Sequence, residues 1–267
     1  MVGKGLNKEQ TVFAFLFSLL AFSISSCLGG KRPLIKTEEY TEKIVSSVIS
    51  SDSGIVFSHS GYTVSFNPNT KIPNWVAYEL TAEEVAGTVK RDNGYYPDPD
   101  IKAPQADNND YRNSGWDRGH MAPAGDMKWS KEAMHESCYF TNICPQNRNL
   151  NAGDWNALEN KCRTWAQRYG SVQIVCGPIM GEMKHGTLGD NRVAIPDAFY
   201  KVLLVKVGEG YEGIGYVFEN KAGHRALNTY AMSIDEVETL TGYDFFHSLP
   251  DKIERIVEAE VHQEVWN

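Results

Sequence analysis

Between residues 154 and 169 five bulky side chains, Trp155, Leu158, Cys162, Trp165 and Tyr169, recur at intervals of three and four. That spacing gathers them on one stripe of an α-helix. Gly170 supplies the stop. A helix with so one-sided a face is marginal alone in water and needs other structure to cover the stripe. The run that follows, 172–176, and the later runs 199–207 and 213–218 have the β-branched and aromatic content of strands.

The rest of the chain supplies further elements. Residues 54–66 hold two short β-rich runs around Ser60-Gly61, the pattern of a hairpin, and Pro73-Asn74 introduces another strand candidate at 75–80. Residues 128–137 suit a short helix and 138–143 a short extended run. Ser233 is placed to cap a helix over 234–240. Asp251 is placed to cap a final helix whose apolar face is Ile253, Ile256, Val257, Val261 and Val265. Residues 91–114, polar and carrying Pro97, Pro99 and Pro104, read as a long irregular excursion. Such a loop in a compact domain usually has a use, often substrate binding. No repeat, low-complexity tract or linker follows residue 54. The pattern predicts one α+β domain, a central and mostly antiparallel sheet flanked by helices.

The first residues read differently. Lys4 and Lys8 precede an apolar run at 12–24, which is shorter than the roughly 20 residues a spanning helix needs. Small residues, Ser25 and Ser26, follow, and then Cys27. This is the pattern of a secretory signal, and Ile24-Ser25-Ser26-Cys27 resembles a bacterial lipoprotein cleavage box. The expected organisation is a signal peptide at 1–26, a tether at 27–53 and a domain at 54–267. It carries the expectation of an exported protein, a periplasmic or outer-membrane lipoprotein anchored through lipidated Cys27, or alternatively a secreted one.

Charge sets a bound on partners. The 267 residues carry a formal charge of -8, and removal of 1–26 leaves 24 basic against 33 acidic residues, or -9. That balance argues against a basic protein that coats nucleic acid. It does not exclude an enzyme with a local basic groove. Composition also excludes a disulfide scaffold, a coiled coil and a largely disordered chain.

Cys138, Cys144, Cys162 and Cys176 remain after Cys27. No CxxC pair exists, so a structural zinc site is disfavoured. An exported chain would oxidise them as two disulfides, or as one with two buried thiols; four buried free thiols are the alternative.

The chemistry gathers in three segments: Trp116-Asp117-Arg118-Gly119-His120-Met121-Ala122-Pro123, Thr141-Asn142-Ile143-Cys144-Pro145-Gln146-Asn147, and the ten residues from Leu150 to Glu159. Alone, each is weak evidence. A single histidine is more often structural, Asp117 and Arg118 suit a salt bridge, and Asn151 suits a helix cap. Together they make chemical sense. Eight residues separate Asn151 from Glu159, which on an ideal helix leaves them about 80° apart. Both can then border one cleft, with Arg163 four residues on to brace the Glu159 carboxylate. An amide oxygen beside a carboxylate suits Mg2+ that keeps several waters. His120 titrates naturally near working pH and can act as a base. Arg91 or Arg118 can meet phosphate oxygens.

With these residues in view, the chain resembles the DNA/RNA non-specific endonucleases of the ββα-metal type. The resemblance rests on DRGH at 117–120, NICPQ at 142–146 and LNAGDWNALE at 150–159, and extends over about 74–242. NWVAYEL at 74–80, CGPI at 176–179, IPDAFYKV at 195–202 and IDEVETLTG at 234–242 support it. It implies a domain containing the ββα-metal motif and hydrolysis of DNA and RNA phosphodiesters to 5′-phosphate and 3′-hydroxyl ends. The substrates would be double- and single-stranded, and the cofactor one Mg2+ per site, with Mn2+ as a substitute. His120 matches the general base, Asn151 the direct metal ligand, and Glu159 the acid that reaches the metal through water. Arg91 matches the arginine that stabilises the phosphoryl transition state, and Asn142 a site-organising asparagine. Asp117, Arg118 and Arg163 match the supporting shell. Related enzymes are often homodimers. The resemblance also puts the segments of Cys144 and Cys176 near the site, so that these two could approach each other and leave Cys138 and Cys162 as a second pair. The rival reading is a catalytically inactive surface protein that binds nucleic acid on the same scaffold.

Overall fold

The computed structural model describes residues 48, 49 and 53–267. The chain divides into two compact units at Pro33/Leu34. The first unit, with the expected signal segment and Cys27, lies outside the described residues. The second carries all that follows.

Its centre is a seven-stranded sheet in which every neighbouring pair is antiparallel. The spatial order is Ala231–Met232, Gly210–Glu219, Ala198–Val207, Ser171–Ile179, Ile72–Thr81, Thr63–Asn67 and Ile55–Ser58. The central strands are covered on both faces, which is why Phe199–Val205 is buried without a break and is apolar apart from Lys201, rather than alternating. Successive residues still part to opposite sides, as the period of two requires. Val76, Tyr78, Ile174, Cys176 and Leu203 join one core. Trp75, Ala77, Val175, Val202 and Leu204 join the other.

The first core is closed by the helix Asn156–Tyr169, which places Leu158, Cys162 and Trp165 against the sheet as its stripe predicts. The second is closed by Ile234–Thr241 and Asp251–Ala259, through Ile234, Val237, Ile253 and Val257. Ser233 caps the first of these in a reciprocal capping box with Glu236. Val48–Ile49, within the segment expected to be a tether, pairs antiparallel with Asp244–Phe245.

Some elements differ from expectation. Residues 138–143 do not run extended: Phe140–Asn142 makes a tight helical turn, and the strand is Ile143–Gln146. The Asn142 side chain bonds the backbone of Ser137 and Ala122, which holds the chain in that turn. The last helix stops at Ala259, and Gln263–Trp266 is a separate turn. Asp251 is the first helical residue and makes no side-chain cap, while Val261 and Val265 pack on the first core from outside the helix.

The expected disulfides are absent, and all four cysteines are free and buried. Cys144 faces Gly119 across a strand pair, while the Cys176 thiol donates to the Met121 carbonyl at 3.2 Å. Burial pushes the Cys144 thiol well above its ordinary range, and neighbouring Cys176 adds to that. The pair does approach, but as thiols. Cys138 lies just beyond the helix Lys131–Glu136, after its cap Ser137, and Cys162 lies inside the long helix, with no bond between them.

Candidate active site

Asp117–His120 pairs antiparallel with Ile143–Gln146 and sets His120 opposite Ile143, apart from the main sheet. Gly119 is required in this ribbon, because a β-carbon there would lie 2.6 Å from the Gln146 Cβ. Beyond Gln146, the Asn147 side chain accepts from the amides of Asn149 and Leu150 and turns the chain. Asn151–Trp155 then forms one wide helical turn, broken at Gly153 (φ -104°, ψ -109°), before the regular helix begins. Wide turns of this kind are frequent at functional sites, because they re-aim side chains that a regular helix would misplace. Two strands and a helix thus meet at one point.

A cleft of about 450 Å3 opens there, and Arg91, Arg118, His120, Asn151, Glu159 and Arg163 all border it. Tyr95, Lys128 and Asn156 complete its polar rim. The two other predicted residues stand behind these. Asp117 accepts from the Asn151 amide nitrogen at 3.0 Å, which leaves the Asn151 carbonyl oxygen as the group to offer a ligand. Asn142 is fully buried: its Oδ1 accepts from the Ala122 amide at 2.9 Å and its Nδ2 donates to the Ala122 and Ser137 carbonyls. Its own carbonyl accepts from the Met121 amide, so the backbone just after His120 is fixed.

The excursion 91–114 is irregular but pinned. The Asp98 carboxylate accepts from Thr141 Oγ1 at 2.6 Å and sits 2.9 Å from His59 Nε2. Tyr96 exchanges backbone bonds with Cys138 and Phe140. This holds Arg91 and Tyr95 over the cleft.

His120 is only 7% exposed, and its Nε2 is enclosed without a hydrogen-bond partner. Burial, and then the Arg91 guanidinium, drive its pKa down to about 3. The ring is therefore neutral at working pH, with a lone pair to accept a proton. Glu159 is pushed the other way, up to about 7, by burial; Lys201, Arg163 and Arg91 oppose that shift and Asp126 reinforces it. Such opposed displacements in one cleft are what acid–base chemistry uses. An amide oxygen held by its own nitrogen, beside a half-buried carboxylate on the same cleft, is a donor set that fits a hard cation such as Mg2+.

Two expectations change. Arg163 does not pair with Glu159: its Nη1 bonds Asp126 and its Nη2 bonds Asn160 Oδ1 at 2.8 Å. Asp126 is fully buried and also accepts from Tyr78, so it is the stronger partner. Arg118 lies 5.2 Å and 5.0 Å from the ring centres of Tyr95 and Tyr111 and donates to the Asn108 carbonyl. It is committed to holding the excursion as well as to the cleft.

The sequence pattern missed Asp126 and Lys201. Lys201 is fully buried, with its Nζ 4.6 Å from the Trp155 ring and its charge facing Cys176, Cys162, Glu159 and Asp126. A lysine inside an otherwise apolar strand was a visible signal. Asp126 had none, because a single aspartate in a loop is ordinary.

The sequence model of the family described as DNA/RNA non-specific endonuclease matches residues 42–252. "Nuclease EXOG, mitochondrial" of Xenopus laevis is 37% identical over 204 residues, 70% of this chain and 57% of that protein. The chain thus spans little more than half the length of that relative. "Endonuclease G, mitochondrial" of Homo sapiens is 32% identical over 202 residues, 70% of this chain and 68% of that protein. The crystal structure of the EndoG/EndoGI complex superposes with a TM-score of 0.69 at 31% identity, covering 74% of this chain and 88% of that one. These relatives overturn the expected export to a bacterial periplasm or outer membrane, since they are mitochondrial nucleases.

Proposed function

Since the chain belongs to the DNA/RNA non-specific endonuclease family, we propose that its cleft hydrolyses phosphodiesters of DNA and RNA, double- or single-stranded, with one bound Mg2+. The observation that carries this is that Arg91, His120, Asn151 and Glu159, drawn from three separate stretches of chain, border a single cleft.

Asn151 would hold the metal directly, through its carbonyl oxygen, and Glu159 would hold it through water. When bound, Mg2+ supplies Lewis-acid stabilisation of the phosphate charge and the departing 3′ oxygen. Everything else falls to the chain. His120 accepts a proton from the attacking water at Nδ1, because Nε2 is enclosed. Its depressed pKa keeps that nitrogen free at neutral pH. Arg91 faces the charge that grows on the phosphoryl oxygens, the place where a preorganised cation lowers a barrier most. The products carry 5′-phosphate and 3′-hydroxyl ends. No step needs a 2′-hydroxyl, so both sugars are accepted, and contacts confined to the backbone leave the bases unread.

The test is cleavage of plasmid, single-stranded DNA and RNA with Mg2+ or with EDTA, beside His120→Ala and Asn151→Ala. Wild type should cut all three with Mg2+ only. His120→Ala should lose about 10²- to 10⁴-fold in kcat, the usual contribution of a positioned general base. Wild type that binds DNA yet cuts none of the substrates with any divalent ion would overturn the reading.

A further inference from the structure

The helices Ile234–Thr241 and Asp251–Ala259 cover the sheet face that does not carry the cleft. Carboxylates gather where they meet. Asp235 and Glu238 stand three residues apart on the first helix and share one side of it, and Glu258 reaches them from the last turn of the second. One oxygen from each lies within 4.8 Å of the other two. Asp235 is exposed to solvent, and Glu238 is half-buried. Glu258 is 6% exposed, with its Oε1 enclosed and lacking any hydrogen-bond partner.

Nothing described balances this charge. Among the described residues no lysine, arginine or histidine forms an ion pair with any of the three. The Phe245 amide donates to Glu238 Oε1 at 2.8 Å, which leaves the second Glu238 oxygen free to face the cluster. Asp244 and Glu254 add further negative charge. An enclosed, unpartnered carboxylate oxygen is costly, and a positive ion is the group that would relieve it.

We propose that Asp235, Glu238 and Glu258 form a calcium-class divalent-cation site that joins the two helices, separate from the nuclease cleft. The donors are all oxygen, which suits a hard cation and disfavours metals that seek nitrogen or sulfur. Ca2+ binds at about 2.3–2.6 Å in irregular shells of carboxylate and water, so one ion can touch all three oxygens at once. Mg2+ binds at about 2.0–2.1 Å and gives up its waters reluctantly, usually taking only one or two carboxylates, so a site of three converging carboxylates suits Ca2+ better. Glu258 closes the inner side, and water completes the shell on the exposed side by Asp235.

The experiment is thermal unfolding of EDTA-stripped protein titrated with CaCl2, with equilibrium dialysis of 45Ca for stoichiometry. Wild type, Asn151→Ala, Asp235→Asn and Glu258→Gln are compared. Wild type and Asn151→Ala should each gain about 5–10 °C at a hundredfold excess over the dissociation constant. Asp235→Asn and Glu258→Gln should gain nothing and bind one ion fewer. Asp235 is exposed, so its variant tests the site even if Glu258→Gln folds poorly. An equal gain in Asp235→Asn, loss of the gain in Asn151→Ala, or no gain in wild type would each overturn the proposal.

Discussion

Asn142 touches no part of the cleft, yet it fixes the backbone that carries His120. Its side chain accepts from the Ala122 amide and donates to the Ala122 and Ser137 carbonyls. Asn142→Ala strands those groups where water does not reach them, at a cost of about 1–3 kcal/mol for an unsatisfied group. Melting should fall by about 2–10 °C, and nuclease turnover should fall with it even well below the melting point. His120 itself makes a pH prediction. Its native pKa, about 3, lies below the unfolded value of about 6.5, so the unfolded chain binds the extra proton first. The stability this contributes is whole above pH 6.5 and is lost as pH falls toward 3. In EDTA, melting of the wild type should decline over pH 7 to 4 more steeply than that of His120→Asn; parallel declines would mean that His120 is not held neutral. Both predictions concern groups whose chemistry was legible as residue types. Their environment was not: nothing in the sequence says that Asn142 faces Ser137 and Ala122, or that His120 is enclosed.

At the scale of elements, the clearest reading was the long helix, because two tryptophans at helical spacing leave no other way to bury them together. The start of that helix was less legible. An ideal wheel sets Asn151 and Glu159 on neighbouring faces, yet the chain between them makes a wide turn broken at Gly153, and both still border the cleft. The strand Asp117–His120 carried no pattern at all. It is four residues long, mostly polar, and held by its partner Ile143–Gln146 rather than by propensity. Gly119 is the point at which that pairing can be broken. Gly119→Ala would place a methyl group against the Gln146 side chain, an overpacking worth about 1–3 kcal/mol. Separation of the strands would carry His120 away from Asn151. Activity should drop at least tenfold while far-ultraviolet circular dichroism is unchanged, since the seven-stranded sheet does not include this ribbon.

For the whole molecule, the charge of -8 and the reading as a nuclease agree only if attraction to nucleic acid is local. The cleft brings Arg91, Arg118, Lys128 and Arg163 together, and Arg163 is already paired with Asp126. About three cations are left to meet phosphates, so log K against log salt should have a slope near -3 on duplex DNA. A fluorescence anisotropy titration of His120→Ala at several salt concentrations measures it. A slope near -8 would indicate an extended basic surface instead.

The sequence by itself determined the α+β class, the helix stripe, the hairpin and the main strands. It also determined which residue types carry the chemistry, because periodicity and motif are local properties of the chain. Only the tertiary structure decided the rest. It gave Arg163 to Asp126, stacked Arg118 between two tyrosines, left four thiols unjoined and buried Lys201 beside Trp155. Each of these is a choice among partners far apart in sequence. Such choices are settled by burial and by competition for hydrogen bonds, which exist only once the sheet has brought the partners together.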